Sequence, residues 1–109
     1  MKQRQYDRVS FFCKMKLVTQ PFGPGLEARA IDLSIGGAGV LTQGSFEPGQ
    51  MVDLSFFVKD ARQKEVEEHV TGRVVALRAE VEGNRVGVEF QELLSAKKQP
   101  NLMRRLMRI

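Results

Sequence analysis

Turn-forming residues interrupt this chain too often for it to be built of long helices. Pro21-Phe22-Gly23-Pro24-Gly25, Gly36-Gly37, Glu47-Pro48-Gly49, Lys59-Asp60 and Glu82-Gly83-Asn84 fall at short intervals. Short segments between regular turns are the mark of an all-β domain. The segments themselves carry a period of two. Val9, Phe11, Cys13, Met15 and Leu17 alternate with Ser10, Phe12, Lys14, Lys16 and Val18, which puts the first set on the core face of one strand. Val52, Leu54, Phe56 and Val58 repeat the pattern, as do Val86, Val88 and Phe90. Residues 70–79 read as the partner of 84–90 across a hairpin at Gly83-Asn84, and 26–33 and 38–42 as weaker strands joined through Gly36-Gly37. The acidic run Glu65, Glu67 and Glu68 would suit a short helix over 60–70, but a strand starting near Val66 fits the valines that follow.

Six strands are too many for one exposed sheet, and closure would cover both edges. The expected fold is therefore a six-stranded antiparallel β-barrel with a C-terminal α-helix. Leu102, Met103, Leu106, Met107 and Ile109 share one side of that helix, opposite Arg104, Arg105 and Arg108, and Pro100 suits its entrance. Residues 1–8 form an arm, 9–90 the barrel and 91–109 a C-terminal helical segment, all in one domain of 109 residues. The helix is too short to persist alone in water, so its stripe is expected to cap the open end of the barrel first, and to meet a second copy or a membrane surface only otherwise.

With 42% hydrophobic residues the chain has material for a core. Several chemistries drop out. One cysteine, Cys13, makes no internal disulfide and reads as a small buried hydrophobe. One histidine, His69, with one cysteine makes no Cys/His zinc site, and no nucleophile-elbow sequence accompanies a Ser-His-Asp triad. No paired carboxylates or phosphate-cradling loop supports catalysis, so the expected protein is not an enzyme. No apolar run is long enough to span a membrane, and MKQRQYDR lacks an apolar signal region, which points to the cytoplasm. Glu65, Glu67 and Glu68 read as a solvated acidic face, His69 as a surface or hairpin residue, and Arg73 and Arg78 as surface charge. The net charge of +4 is concentrated at the ends: residues 1–16 hold five basic groups and one acid, residues 97–109 five basic groups and no acid. Basic ends on an acidic body suggest an anionic partner.

Two short motifs occur in order. Arg4-Gln5-Tyr6-Asp7-Arg8 is an R-x-x-x-R, and Asp32-Leu33-Ser34-Ile35-Gly36-Gly37 is a D-x-S-x-x-G. An arginine fork matches the N7 and O6 acceptors of guanine and also pairs with phosphate. Asp32 and Ser34 share strand parity, so both are expected on one face, where an aspartate accepts from guanine N1–H and N2–H2. Gly36 and Gly37 permit positive φ and close backbone approach. The plainer reading of this second motif is a Ser-capped turn joining two strands. Tyr6 is suited either to stacking on a base or to packing the arm against the barrel.

The pair of motifs, followed by barrel-like strands, Gly87-Val88-Glu89-Phe90 and a terminal helix, resembles the PilZ domain family over essentially the whole chain. The resemblance implies a split barrel that binds cyclic di-GMP through Arg4, Arg8, Asp32, Ser34, Gly36 and Gly37, with no catalytic cofactor and no metal. It implies that the arm closes over the nucleotide and alters the surface shown to a downstream protein. Gln3 stands where family members that hold two stacked ligands carry a third arginine, which implies one ligand per chain. The alternatives are a PilZ-like adaptor that acts by protein contacts alone and a small-barrel nucleic-acid binder. The absence of tryptophan and the single tyrosine argue against the latter, which needs aromatic platforms. A homodimer is left open.

Overall fold

A computed structural model of the protein describes residues 6–20, 23 and 25–107. It contains six strands and one helix: β1 (Val9–Thr19), β2 (Gly25–Ser34), β3 (Gly37–Thr42), β4 (Met51–Lys59), β5 (Glu65–Glu80), β6 (Gly83–Phe90) and α1 (Pro100–Met107). Every pairing is antiparallel, in the order β1-β2-β3-β6-β5-β4, and β4 pairs back onto β1, so the sheet forms a closed ring. The alternation seen in the sequence fills it. Phe11, Met15, Leu17, Leu54, Phe56, Val86 and Val88 are buried, while Phe12, Lys14 and Lys16 face outward. Phe56 and Phe90 meet edge to face across the interior, with centroids 6.3 Å apart.

Residues 65–70 are strand, not helix; Val66 pairs with Val58 and Val70 with Leu54. The hairpin between β5 and β6 turns at Val81-Glu82, two residues earlier than Gly83-Asn84. Gly83, at φ 137°, supplies the positive-φ position, and a Cβ there would lie 2.7 Å from the Thr42 carbonyl oxygen. The sheet carries three bulges, at residues 10–13 of β1, 30–32 of β2 and 74–76 of β5.

Glu68 corrects the reading of a solvated acidic face. It is buried, and its carboxylate accepts the backbone N–H groups of Asn101 and Leu102, each at 2.9 Å, together with the Asn101 side-chain amide at 2.9 Å. A carboxylate supplied by β5 thus satisfies the unpaired donors at the start of α1 and meets the positive end of its dipole. Leu102 is fully buried, and Met103 and Leu106 pack on the core. Met107 leaves the expected stripe and is 75% exposed; Arg108 and Ile109 lie outside the described residues. Arg104 donates to the Lys59 carbonyl at 3.1 Å, and the Arg105 guanidinium lies over the Phe11 ring at 5.0 Å. The connection before α1 is not helical, but it is anchored: Leu94 donates to the Ile35 carbonyl, and the buried Gln99 donates to the His69 carbonyl.

Candidate functional site

The bulge in β2 decides where the second motif points. Ala28 and Ala30 face the core, so strict alternation would send Asp32 inward as well. Ile31 is the extra residue: Ala30 pairs with Val40 but Asp32 with Gly39. After it, Leu33 takes the core face and Asp32 turns outward. Bulges commonly re-aim a side chain in this way beside a functional site.

On the outer face Asp32 meets the first motif. Arg8 Nη1 donates to Asp32 Oδ1 at 2.6 Å, and the backbone N–H of Gly39, on the neighbouring strand, donates to the same oxygen at 2.8 Å. The side chains are only 21% and 25% exposed, so the pair is partly withdrawn from water. Asp32 Oδ2 accepts no hydrogen bond among the described residues. Gly39 is the contributor that the motifs do not name. A Cβ there would lie 2.8 Å from Asp32 Oδ2, so glycine both donates to the carboxylate and makes room for it. Its place one strand over from Asp32 is the only sequence signal for it.

Ser34 occupies a different environment. It is buried, its hydroxyl accepts from the Gly36 N–H at 3.2 Å and donates to the Gly37 carbonyl at 3.3 Å, and so it builds the turn between β2 and β3. Gly36 and Gly37 are required for close approach, not for positive φ, which neither adopts. A Cβ on Gly36 would lie 2.7 Å from the Tyr6 ring, and one on Gly37 would lie 2.5 Å from the Val88 carbonyl oxygen. Tyr6 therefore packs the arm against the turn, and Arg8 follows it over Gly37 and Asp32. Arg4 lies outside the described residues. Of the expected site residues, the structure brings together Arg8, Asp32, Ser34, Gly36 and Gly37 on one patch of the ring.

The other residues singled out in the sequence lie elsewhere. Burial pushes the Cys13 thiol up to about 12, which keeps it protonated. His69 is exposed, with Ser55 Oγ at 3.0 Å from Nδ1 and Glu67 at 3.4 Å from Nε2. Arg73 faces Glu89, and Arg78 pairs with Glu80. Among the described residues, no helix is long and apolar enough to cross a membrane.

An outward aspartate gripped by an arm arginine, beside a Ser-capped turn on a closed antiparallel sheet, is the arrangement that the two motifs imply together, and the model of the PilZ domain matches residues 2–107. The chain belongs to the PilZ domain family. Solved structures agree in fold. The inhibitor of motility MotI/DgrA of Bacillus subtilis superposes with a TM-score of 0.74 at 16% identity, covering 99% of this chain and 54% of that one. This PilZ chain thus spans about half the length of that protein. The PilZ domain of YcgR from Escherichia coli, solved with c-di-GMP, gives a TM-score of 0.68 at 14% identity, covering 93% and 87%. The PilZ domain of CeSA from a cellulose-synthesizing bacterium gives 0.64 at 16%, covering 93% and 95%. No curated protein matches the chain in sequence.

Proposed function

We propose that this PilZ domain is a receptor for cyclic di-GMP in the cytoplasm, and that it signals to a downstream protein rather than catalysing a reaction. The observation that carries the reading is the Arg8–Asp32 contact of 2.6 Å, which joins the arm motif to the turn motif on one surface. Family membership and the c-di-GMP-bound structures of the YcgR chain support it. The ligand has two phosphates and two guanine edges. Arg8 uses Nη1 on Asp32, which leaves Nη2 and Nε for phosphate or for guanine N7 and O6. Asp32 Oδ2 is the acceptor for guanine N1–H and N2–H2. Ser34, Gly36 and Gly37 shape the turn that lets the ligand lie close to the backbone, and Arg4 brings a second guanidinium when the arm closes. Ordering of an arm on a ligand is an established kind of switch.

Calorimetric titration with cyclic di-GMP, beside a single-stranded oligonucleotide, tests this. One mole of cyclic di-GMP should bind per chain and the oligonucleotide should not compete. Loss of a charge-assisted hydrogen bond is worth about 1.5–3 kcal/mol, so Arg8→Ala should weaken binding about tenfold to a hundredfold. No heat with cyclic di-GMP, or unchanged affinity in Arg8→Ala, would remove the proposed site.

A further inference from the structure

Strand β5 outruns its neighbour. Its last partner in β4 is Met51, opposite Arg73, and Val74 is then bonded to Gly49 and Gln50. Residues 75–80 continue beside β6 alone. Among the described residues, no backbone hydrogen bond reaches their other side. All of 75–79 are exposed, including Val75 at 50% and Leu77 at 39%, and Val81 at the turn is wholly exposed. An otherwise closed ring therefore ends in a short open edge with apolar residues on it, which is a template for another strand.

We propose that the occupant is a second copy of this chain, paired antiparallel through the same edge about a two-fold axis at Ala79. Backbone parity limits the choices. Glu80 pairs with Gly83 across the turn, so its N–H and C=O face β6; alternation then turns those of Ala79 and Leu77 to the open side. A symmetric antiparallel pair must set one residue opposite its own copy, at Leu77, Arg78 or Ala79. An axis at Arg78 puts two like charges face to face. An axis at Leu77 sets Glu80 opposite Val74 of the other copy, whose outer backbone groups already bind Gly49 and Gln50. An axis at Ala79 exchanges two hydrogen bonds at the centre. It sets Arg78 opposite Glu80 of the other copy, twice, and brings Leu77 against Val81. The sequence Leu77-Arg78-Ala79-Glu80-Val81 is self-complementary in charge and in hydropathy about that point alone.

Sedimentation equilibrium between micromolar and millimolar concentration tests the proposal, without cyclic di-GMP, so that failure of the nucleotide reading leaves it untouched. The wild-type chain should form a weak dimer. Ala79→Pro removes the central N–H, which has no partner among the described residues, and should give a monomer with an unchanged circular dichroism spectrum. Arg78→Glu turns two attractive cross-strand pairs repulsive and should raise the dimer Kd by about tenfold. The charge-swapped double variant Arg78→Glu, Glu80→Arg should restore it. A wild-type monomer at every concentration, or a dimer indifferent to Ala79→Pro and Arg78→Glu, would overturn the proposal.

Discussion

Asp32 shows how much one residue's environment can change its role. Facing inward it would be an unpaired charge in the core; facing outward it holds Arg8 and takes a hydrogen bond from Gly39. The two residues should act as a unit on the ligand. Arg8→Ala and Asp32→Ala should each cost about 1.5–3 kcal/mol of binding, and the double variant should cost much less than their sum. Calorimetry on the three variants measures the coupling; strict additivity would mean that the two bind separate parts of the ligand. Cys13 makes the opposite point, because its neighbours make it inert. Its folded pKa, raised to about 12 by desolvation, stands above the ordinary value of 9.0. The unfolded chain therefore releases this proton first as the pH rises. The stability that Cys13 contributes is complete below pH 9 and is lost between about 9 and 12. Denaturant melts of wild type against Cys13→Ala across that range should converge toward high pH.

At the scale of elements, α1 depends on β5. Eight residues from Pro100 to Met107 make a marginal helix, with no acidic residue of its own in the first turn. Glu68 supplies that charge from across the interface and bonds to two backbone N–H groups. Glu68→Ala leaves these donors buried without a partner and should cost about 1–3 kcal/mol. Glu68→Gln keeps an acceptor but loses the charge, and should cost less. Thermal melts rank the three proteins, and a Glu68→Ala chain as stable as wild type would show that water serves the helix start equally well. Glu68 was not legible as a cap, since nothing in the order Glu65-Val66-Glu67-Glu68 says that a helix some thirty residues later will begin above it. The strand beneath it was legible, because the valines on both sides keep a period of two.

For the whole molecule, the two ends of β5 have different duties. Glu68, near one end, receives the helix that closes the ring over Leu102, and residues 75–80, at the other, form the open edge. Deleting residues 101–109 should therefore lower the melting temperature by several degrees, through exposure of the core beneath Leu102 and Leu106, while leaving self-association unchanged. Calorimetric melting and light scattering on the truncated chain check both parts; a truncated chain that melts as before would show that α1 is not part of the fold.

The sequence by itself determined the strands, the class and the family, because alternation, turn residues and two spaced motifs are local properties that survive without coordinates. It also picked out the residues that the proposed reading assigns to a guanine nucleotide, Arg8 and Asp32 among them. Tertiary structure alone decided how they are used. A single inserted residue, Ile31, turns Asp32 from core to surface, and no parity count along β2 reveals a bulge that exists only in its register with β3. Ser34 went to the turn because Gly36 and Gly37 come back within reach of its hydroxyl. The open edge of β5 exists because β4 begins at Met51, opposite Arg73, while β5 runs on to Glu80, a difference in length that becomes an edge only when the two strands lie side by side.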